Sequence, residues 1–287
     1  MRIEQIATYV PDNVVTNDDL SKVMDTSDEW IVKRTGIKSR NWTQESIEEM
    51  ASKVLAKLDD NKFDAIIVTT MSNLNIAPSL SSMCAKTLGQ TDCMCIDLNA
   101  ACSGFVYGLN VAEGLLATGY QKVLLLSVEK MSSIIDKSDR STAILFGDGA
   151  VATVLSSDGN DLVYKYNQTN NDNLSLTKFE GDYLKMDGQA VFKFATKTIG
   201  DCIDKYGSID DIDYFVFHQA NKRIIDNVVR KYKIDRSKVV MNLEHVANTS
   251  SSSIPLALSN VNLKSGDMVM MVGFGAGLSS GLVVYKH

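Results

Sequence analysis

Two kinds of hydrophobic pattern alternate along the 287 residues of the chain. Short continuous apolar runs are typical of buried strands, whereas segments such as 46–58 repeat apolar side chains at helical spacing. Segments 16–19 and 26–29 have the Thr, Ser and Asp residues of helix caps. The pattern predicts strands at 1–10, 65–70, 93–98, 122–128, 213–217 and 239–241, two strands within 142–155, a strand pair around 274–277, and helices at 46–58, 79–89, 102–118, 191–206, 220–232 and near 250–260.

The alternation of strands with helices predicts an α/β fold in which mixed or parallel sheets are covered on both faces. Phe-Gly-x-Gly stands between two predicted strands near the end of each half of the chain, at 146–149 and 274–277. We therefore predict an internal duplication, with a first half of 1–155 and a second half of 156–287. Residues 156–190 are rich in Asn, Asp and Ser, and they predict the crossing between the halves and an exposed loop.

Composition and charge place the chain among ordinary soluble globular proteins, because 45% of the residues are hydrophobic and 22% are charged. The net charge of −6 argues against nucleic acid as a partner of the whole molecule. The N-terminal residues are charged where a signal peptide would be apolar. No apolar run approaches the length of about 20 residues that spans a membrane. Both observations predict a cytoplasmic protein. Five cysteines without Cys-x-x-Cys spacing favour a reducing compartment and predict no metal site.

Residues 96–107 predict a strand that stops, turns and restarts as a helix, with Cys102 at the start of that helix. The first turn of a helix has unpaired N–H groups and a partial positive charge, and both favour a thiolate over a thiol. Cys102 is therefore a candidate nucleophile. The alternative is a small apolar residue buried at a strand-to-helix junction.

A cysteine nucleophile needs an oxyanion site and usually an imidazole, and the chain has three histidines. His218 follows the strand predicted at 213–217, where ligands of such sheets gather, although a histidine bonded to backbone gives the same pattern. Asn248 is a candidate amide donor or a plain helix cap. Only six residues follow Gly281, which leaves no room for a dinucleotide-binding unit, so the glycines of 273–281 favour close approach of backbone amides to a ligand.

Together these motifs resemble those of the 3-oxoacyl-acyl-carrier-protein synthase III family of the thiolase superfamily, almost from end to end. The resemblance implies a five-layered αβαβα thiolase-like fold of two duplicated halves with mixed sheets. The first half would carry the nucleophile, and the second the His, the Asn and the glycine-rich oxyanion loop. It also implies a homodimer. The segments that carry the resemblance are 25–37, 99–105, 139–150, 218–221, 248–250 and 273–281.

For function, the resemblance implies the first condensation of fatty acid synthesis, a decarboxylative Claisen reaction between an acyl-CoA primer and malonyl carrier protein. Cys102 would take the acyl group, while His218 and Asn248 would bind the malonyl thioester and stabilise its enolate. Backbone N–H groups of Cys102 and Ala276 would form the oxyanion hole. No tightly bound cofactor is expected, since coenzyme A enters as acyl-CoA substrate, and its implied contacts are Trp30, Arg34, Arg140, Gln189, Asn221 and Arg223.

The chain departs from the family pattern at several positions. The glycine loop continues as residues 278–280, Leu-Ser-Ser, where relatives have an aromatic segment ending Trp-Gly. Ala77 stands where relatives often carry a larger residue facing the partner subunit's acyl pocket, and Gln189 replaces a common Asn near the pantetheine. The loop between the halves is also shorter than usual. We expect the chemistry to be preserved and the acyl pocket to be wider than acetyl requires.

One short segment concentrates positive charge, with only Asp226 opposing it. A solvated helix face explains the pattern, and so does a docking face for an acidic carrier protein, because only a local patch could attract such a partner to an acidic chain. The segment contains Lys222, Arg223, Arg230, Lys231 and Lys233.

Three other functions fit parts of the sequence. A papain-like protease has the order Cys, His, Asn, but its cysteine would stand in Cys-Gly-Ser-Cys-Trp near the mature N-terminus. A thiolase-fold acyltransferase of secondary metabolism would pass the acyl group of Cys102 to a different acceptor. A non-catalytic homologue is disfavoured because all three catalytic residue types are present.

Overall fold

The computed structural model describes residues 1–75, 77–159, 161–170 and 177–287. Strands and helices alternate through most of these ranges, as the hydrophobic pattern predicts. In chain order the elements are β1 (Arg2–Tyr9), β2 (Val14–Thr16), α1 (Asn17–Ser21), α2 (Asp28–Thr35), β3 (Ser39–Asn41), α3 (Ile47–Leu55), β4 (Ala65–Thr69), α4 (Leu80–Thr87), β5 (Met94–Leu98), α5 (Gly104–Ala117), β6 (Lys122–Glu129), β7 (Gly149–Ser156), β8 (Leu162–Thr169), β9 (Thr177–Glu180), β10 (Tyr183–Met186), α6 (Gly188–Tyr206), β11 (Tyr214–Phe217), α7 (Lys222–Tyr232), α8 (Leu243–Val246), α9 (Ser253–Leu258), β12 (Met268–Gly275) and β13 (Ser279–Lys286).

Two sheets share one plan. The first has the order β1-β7-β6-β4-β5, in which β5, β4 and β6 are parallel, β7 is antiparallel to β6, and β1 is antiparallel to β7. The second has the order β11-β12-β13-β8, in which β11 and β12 are parallel and β13 and β8 follow antiparallel. A single bridge from Phe215 to Val239 stands where β5 pairs with β4 in the first sheet. The shared order agrees with the predicted duplication.

Hydrophobic clusters stack the sheets and helices into five layers. Helices α3 and α4 cover the outer face of the first sheet, where Met50 and Ile66 belong to one cluster. Helices α5 and α9 lie between the two sheets and share a core with both. Helices α6 and α7 cover the outer face of the second sheet, where Val228 and Phe215 pack in one cluster. This αβαβα arrangement confirms the expected fold class.

The predicted caps explain where several helices begin. The Thr16 side chain accepts a hydrogen bond from the backbone N–H of Asp19, whose carboxylate accepts one in return, so the two form a capping box at α1. Ser27 caps α2, the helix that carries Trp30 to the site described below. None of the described helices combines the length and apolar character needed to cross a bilayer.

Two sequence predictions about single strands are wrong. Residues 142–155 form only one strand, β7, because the preceding segment turns and Phe146 makes a single bridge to Asn248. The strand predicted at 239–241 is reduced to the Val239 bridge.

The prediction for residues 156–190 is also wrong. This stretch contains β8, which completes the second sheet, and β9 and β10, which pair with each other as a hairpin. Residues 160 and 171–176 lie outside the described ranges. The division of the chain at 155 and 156 remains a prediction.

Candidate active site

A cavity of about 860 Å³ opens where β11 and β12 end and where the turn after β5 begins. Parallel strands place their carboxyl ends at one edge of a sheet, so residues distant in sequence meet there. The structure brings all the predicted site residues to the lining of this one cavity: Trp30, Arg34, Cys102, Arg140, Gln189, His218, Asn221, Arg223, Asn248 and Ala276.

Cys102 is the middle residue of a 3-10 turn, Ala101–Ser103, which directly precedes the first residue of α5, Gly104. Ala101 has a φ of 46°, and its N–H donates to Asn99 Oδ1 at 3.1 Å, which stabilises this strained turn. Burial raises the pKa of the Cys102 thiol to about 12, against an opposing hydrogen bond from the Ser250 side chain. The expectation that the helix start favours the thiolate is therefore wrong in this state, because burial raises the thiol pKa by more than the Ser250 hydrogen bond lowers it.

Close approach of β12 brings the glycine-rich loop to Cys102. A Cβ placed on Gly275 would lie 2.7 Å from the backbone nitrogen of Cys102, so only glycine fits there. The next residue, Ala276, begins a 3-10 turn in which Gly277 has a φ of 101°. The missing side chain at 275 thus lets the backbone of Ala276 lie beside Cys102.

His218 follows β11 and is 2% exposed. Its Nδ1 lies 2.6 Å from Ser253 Oγ, which also accepts from the N–H of Gln219 at 3.4 Å. When the Ser253 hydroxyl donates to Nδ1, the ring proton lies on Nε2, and this is the tautomer in which His218 donates to a ligand in the cavity. Burial lowers the pKa of His218 to about 3, so the imidazole is neutral and carries a single ring proton. The ring packs edge-on against Phe274 with centroids 5.0 Å apart.

Asn248 is oriented by backbone on both sides. Its N–H donates to Leu145 O at 2.9 Å, and its carbonyl accepts from the N–H of Gly147 at 3.0 Å. A Cβ on Gly147 would lie 2.4 Å from Val246 O, so the Phe-Gly-x-Gly of the first half makes room for the segment that carries Asn248. Its Oδ1 accepts from the N–H of Ser250 at 2.8 Å, which leaves the Nδ2 amide hydrogens for a ligand.

The two glycine motifs therefore act across the halves. Gly147 of the first half positions Asn248 of the second, and Gly275 of the second half positions Cys102 of the first. The duplicated plan places the catalytic candidates at the junction between the two sheets.

At the cavity mouth, two guanidinium groups pack on one indole ring. Arg34 and Arg140 lie 4.3 Å and 4.7 Å from the ring centroid of Trp30. Asn221 caps α7 and donates from Nδ2 to Arg34 O at 3.1 Å, which ties α7 to α2. Arg223 lies 5.7 Å from the ring centroid of Phe192. The mouth thus presents cations and aromatic faces that suit a phosphorylated nucleotide.

Family models match two parts of the chain, residues 96–171 to 3-oxoacyl-[acyl-carrier-protein] synthase III and residues 204–287 to its C-terminal region. A beta-ketoacyl-[acyl-carrier-protein] synthase III of Lactococcus lactis subsp. cremoris is 39% identical and aligns over 99% of this chain and 98% of its own. The chain belongs to the 3-oxoacyl-[acyl-carrier-protein] synthase III family. The alignment spans 319 positions, which is more than the 287 residues of this chain. The Lactococcus lactis protein therefore contains residues that this chain lacks.

Solved synthase III structures have the same fold. That of Thermus thermophilus has a TM-score of 0.95 at 34% identity and covers 100% of this chain and 99% of its own. A priming beta-ketosynthase from the R1128 polyketide biosynthetic pathway has a TM-score of 0.92 at 32% identity, with coverage of 99% and 95%.

Sequence reasoning missed three residues beside this synthase III site. Ser253 contacts His218, and Ser250 contacts Cys102. Glu129 is buried behind the turn that carries these serines. A run of four serines at 250–253 inside an apolar predicted helix was a usable signal, because buried hydroxyls need partners. Ala77, in contrast, is exposed and does not line the cavity of the single chain.

Proposed function

We propose that the chain catalyses the decarboxylative condensation of an acyl-CoA primer with malonyl carrier protein, which gives 3-oxoacyl carrier protein, CoA and CO2. In this role it would initiate fatty acid synthesis through an acyl-Cys102 intermediate. The observation that carries the proposal is that Cys102, a neutral His218 and the amide of Asn248 line one cavity in a chain of the synthase III family.

In the first half-reaction, Cys102 attacks the acyl-CoA carbonyl and releases CoA. The oxyanion would be stabilised by the N–H groups of Cys102 and Ala276, which the Gly275 contact brings together. Acyl-CoA is a substrate rather than a resident cofactor. Its adenine and phosphates would contact the aromatic and cationic mouth, through Trp30, Arg34, Arg140, Gln189, Asn221 and Arg223.

In the second half-reaction, His218 Nε2–H and Asn248 Nδ2–H donate to the thioester carbonyl of the malonyl group. Loss of CO2 leaves an enolate, and two neutral donors stabilise its oxygen without protonating the carbon. The enolate carbon then attacks the acyl group on Cys102, the bond from that carbonyl carbon to Sγ breaks, and the sulfur leaves as a thiolate that takes a proton from solvent. The burial that lowers the pKa of His218 supports this role, because a charged imidazolium would protonate the enolate carbon before it attacks.

The test is intact mass spectrometry with a panel of acyl-CoAs, followed by malonyl carrier protein. The proposal predicts a covalent acyl adduct on Cys102, and then CO2 and 3-oxoacyl carrier protein. No adduct with any acyl-CoA would contradict it.

A second function is an acyltransferase of secondary metabolism that uses a different acceptor. The similarity to a priming beta-ketosynthase of a polyketide pathway supports this alternative. Under this alternative Cys102 is acylated, but malonyl carrier protein yields no CO2.

Replacing Gly275 by alanine is expected to slow acylation of Cys102 by about a hundredfold, because the new Cβ would displace the Cys102 backbone N–H from the oxyanion site. The rate of adduct formation by mass spectrometry measures the effect. The matched control is Gly114→Ala, since Gly114 is exposed in α5 with nothing within 4 Å of a new Cβ. Equal acylation rates in the two variants would contradict the role of Gly275.

Acyl-CoAs of four to six carbons are expected to react at least as fast as acetyl-CoA. The cavity of about 860 Å³ supports this expectation, although it must also accept the pantetheine arm. Initial rates of condensation across chain lengths measure the preference, and strict preference for acetyl-CoA would contradict the prediction.

Helix α7 supports a docking role for the basic residues. Its apolar face, Ile224, Ile225 and Val228, is buried, while Arg230 and Lys231 are exposed outside the cavity lining. An acidic carrier protein would dock here by charge complementarity.

Charge reversal at Arg230 and Lys231 is expected to raise the KM for malonyl carrier protein several-fold at low salt and to leave the KM for acyl-CoA unchanged. Lys264→Glu is the control, because Lys264 lies before β12 begins, at the opposite end of that strand from the cavity. An unchanged KM for carrier protein at low salt would contradict the docking role.

We also propose a cytoplasmic homodimer. Strand β5 is the edge of the first sheet and carries Met94, which is 42% exposed. Pairing of this edge with a second copy would cover it. A contact of Ala77 with the acyl pocket of a partner subunit, which the family resemblance implies, also requires a dimer. Light scattering after size exclusion tests the dimer, and cell fractionation tests the location.

A further inference from the structure

Glu129, the last residue of β6, is a fully buried carboxylate that no step above uses. It lies outside the cavity lining and accepts hydrogen bonds from two loops. The shortest, both 2.6 Å, come from the hydroxyls of Ser72 and Ser251, and Ser250 Oγ donates at 3.0 Å. The remaining donors are Thr70 Oγ1 and the backbone N–H groups of Met71 and Ser251.

The Ser250 hydroxyl connects this carboxylate to the nucleophile. It hydrogen-bonds to the Cys102 sulfur and donates to Glu129 Oε1. The two turns are in direct contact, since a Cβ on Gly104 would lie 2.9 Å from Ser251 Cβ. Thiol, hydroxyl and carboxylate therefore form one continuous chain of hydrogen bonds beneath the cavity.

Charge makes this chain more than a structural link. The described residues that pack on Glu129 come from β4, from the loop after β4 and from the turn before α9. They contribute hydroxyls and N–H groups as hydrogen-bond partners, and none of them forms an ion pair with Glu129. The titratable group that faces it is the Cys102 thiol, whose pKa the carboxylate raises. Burial raises the pKa of Glu129, but the hydrogen-bond donors aimed at both of its oxygens favour the carboxylate, and two adjacent buried anions are strongly unfavourable, so thiol and carboxylate together keep one proton.

We propose that Glu129 accepts the proton of Cys102 through the Ser250 hydroxyl as acyl-CoA reacts. The proposal rests on the acylation step of the proposed function. Before the step, Sγ–H donates to Ser250 Oγ, and Oγ–H donates to Glu129 Oε1. After it, the thiolate accepts from Oγ–H, and Oγ accepts from the protonated carboxyl, so the hydrogen bonds reverse without any residue moving.

The step balances in atoms and charge. The thiolate forms the new C–S bond to the acyl carbon, the oxyanion collapses, and the bond to the CoA sulfur breaks. In the tetrahedral intermediate, the departing CoA sulfur and Sγ are bonded to the same carbon. The Ser250 hydroxyl therefore returns the proton to the CoA sulfur, and Glu129 becomes a carboxylate again. One negative charge moves along the chain, and no second charge is created in the buried site.

An internal acceptor is needed because the substrate excludes water. The acyl-CoA fills the cavity above Cys102, and the thiol is then cut off from solvent bases. A small alkylating reagent leaves the cavity open, so water can take the proton in that case. The two reactions therefore differ in their dependence on Glu129.

The test compares acylation by acyl-CoA with alkylation by iodoacetamide, both followed by intact mass spectrometry from pH 5 to 10. In Glu129→Gln we expect acylation at pH 7 to slow by about a hundredfold, the range of general base catalysis. Alkylation should instead become faster and its pH midpoint should fall, because the neighbouring negative charge is gone. Damage to the fold would slow both reactions, so opposite directions are diagnostic.

Two serine variants complete the test. Ser250→Ala breaks the chain but keeps the carboxylate, so acylation should slow by a similar factor while the alkylation midpoint does not fall. Ser252→Ala is the matched control, because that buried hydroxyl donates to Gly149 O and Thr249 O and contacts neither Glu129 nor Cys102. Its acylation rate should stay within about twofold of the parent, as expected for a residue outside the proton path.

The outcomes separate the two proposals. Acylation by Glu129→Gln at or above the parental rate, or an equal slowing of acylation and alkylation, would overturn the proton transfer. A parent protein that forms no adduct with any acyl-CoA would overturn the proposed function itself.

Discussion

The Cys102→Ala variant is expected to form no acyl adduct and to lose condensation by at least about a thousandfold, because no other thiol lines the cavity among the described residues. The substitution removes only Sγ from a turn that is held by the Ala101 N–H bond to Asn99 Oδ1 and by the close approach of Gly275, so the cavity should keep its shape. Intact mass spectrometry and the rate of 3-oxoacyl carrier protein formation measure the two losses.

The same variant should still release CO2 from malonyl carrier protein, since His218 and Asn248 make no hydrogen bond to Cys102 among the described contacts. Cys202→Ala is the control, because Cys202 is buried in α6 outside the cavity and its loss should leave the adduct in place. An adduct on Cys102→Ala, or its loss in a folded Cys202→Ala, would rule out Cys102 as the acyl acceptor.

The hydrophobic pattern predicts the elements whose signals are local. Strand β4 is an unbroken apolar run, and helix α3 has both helical spacing and a capping box at Ser46. The positions of Cys102, His218 and Asn248 follow from family motifs, and the structure places all three in one cavity. Short-range sequence signals were sufficient for these features.

The wrong predictions arise where partners are distant in sequence. Phe146 stands in a strand-like run, but its partner is Asn248, about a hundred residues away, and the two form a single bridge. The pKa of Cys102 depends on burial, Glu129 and Ser250, none of which the local helix start reveals. Local sequence gave the right position for the thiol and the wrong protonation state.

Strand β8 was missed for a different reason. Its side chains alternate between half-buried and exposed, and Tyr164 and Tyr166 pack against the core beneath α6. This period of two was present in the sequence, but the high Asn, Asp and Ser content of 156–190 as a whole obscured it. Composition averaged over a long segment therefore hides a short strand that completes a sheet.

The His218→Ala variant is expected to slow malonyl decarboxylation by about a hundred to a thousandfold, the usual effect of removing one oxyanion donor. Acylation of Cys102 should change little, because the proposed role of His218 is to bind the malonyl thioester. Ser253→Ala is the companion variant: it keeps the imidazole but removes the hydroxyl bonded to Nδ1, so the ring proton is no longer held to one nitrogen. A smaller loss, confined to decarboxylation, is expected.

The pH dependence of decarboxylation separates a neutral donor from a base. Because the pKa of His218 is lowered to about 3, the imidazole stays neutral from pH 5 to 9, and the half-reaction should show no loss near pH 6.5. The free energy of unfolding, unlike the decarboxylation rate, should depend on pH in this range. Between pH 6.5 and 3 the unfolded chain binds a proton that the folded chain does not, so the free energy of unfolding should decrease as pH falls. His218→Asn should weaken that dependence. A decarboxylation rate that falls with a midpoint near pH 6.5 would mean that His218 titrates normally, and the neutral-donor mechanism would be wrong.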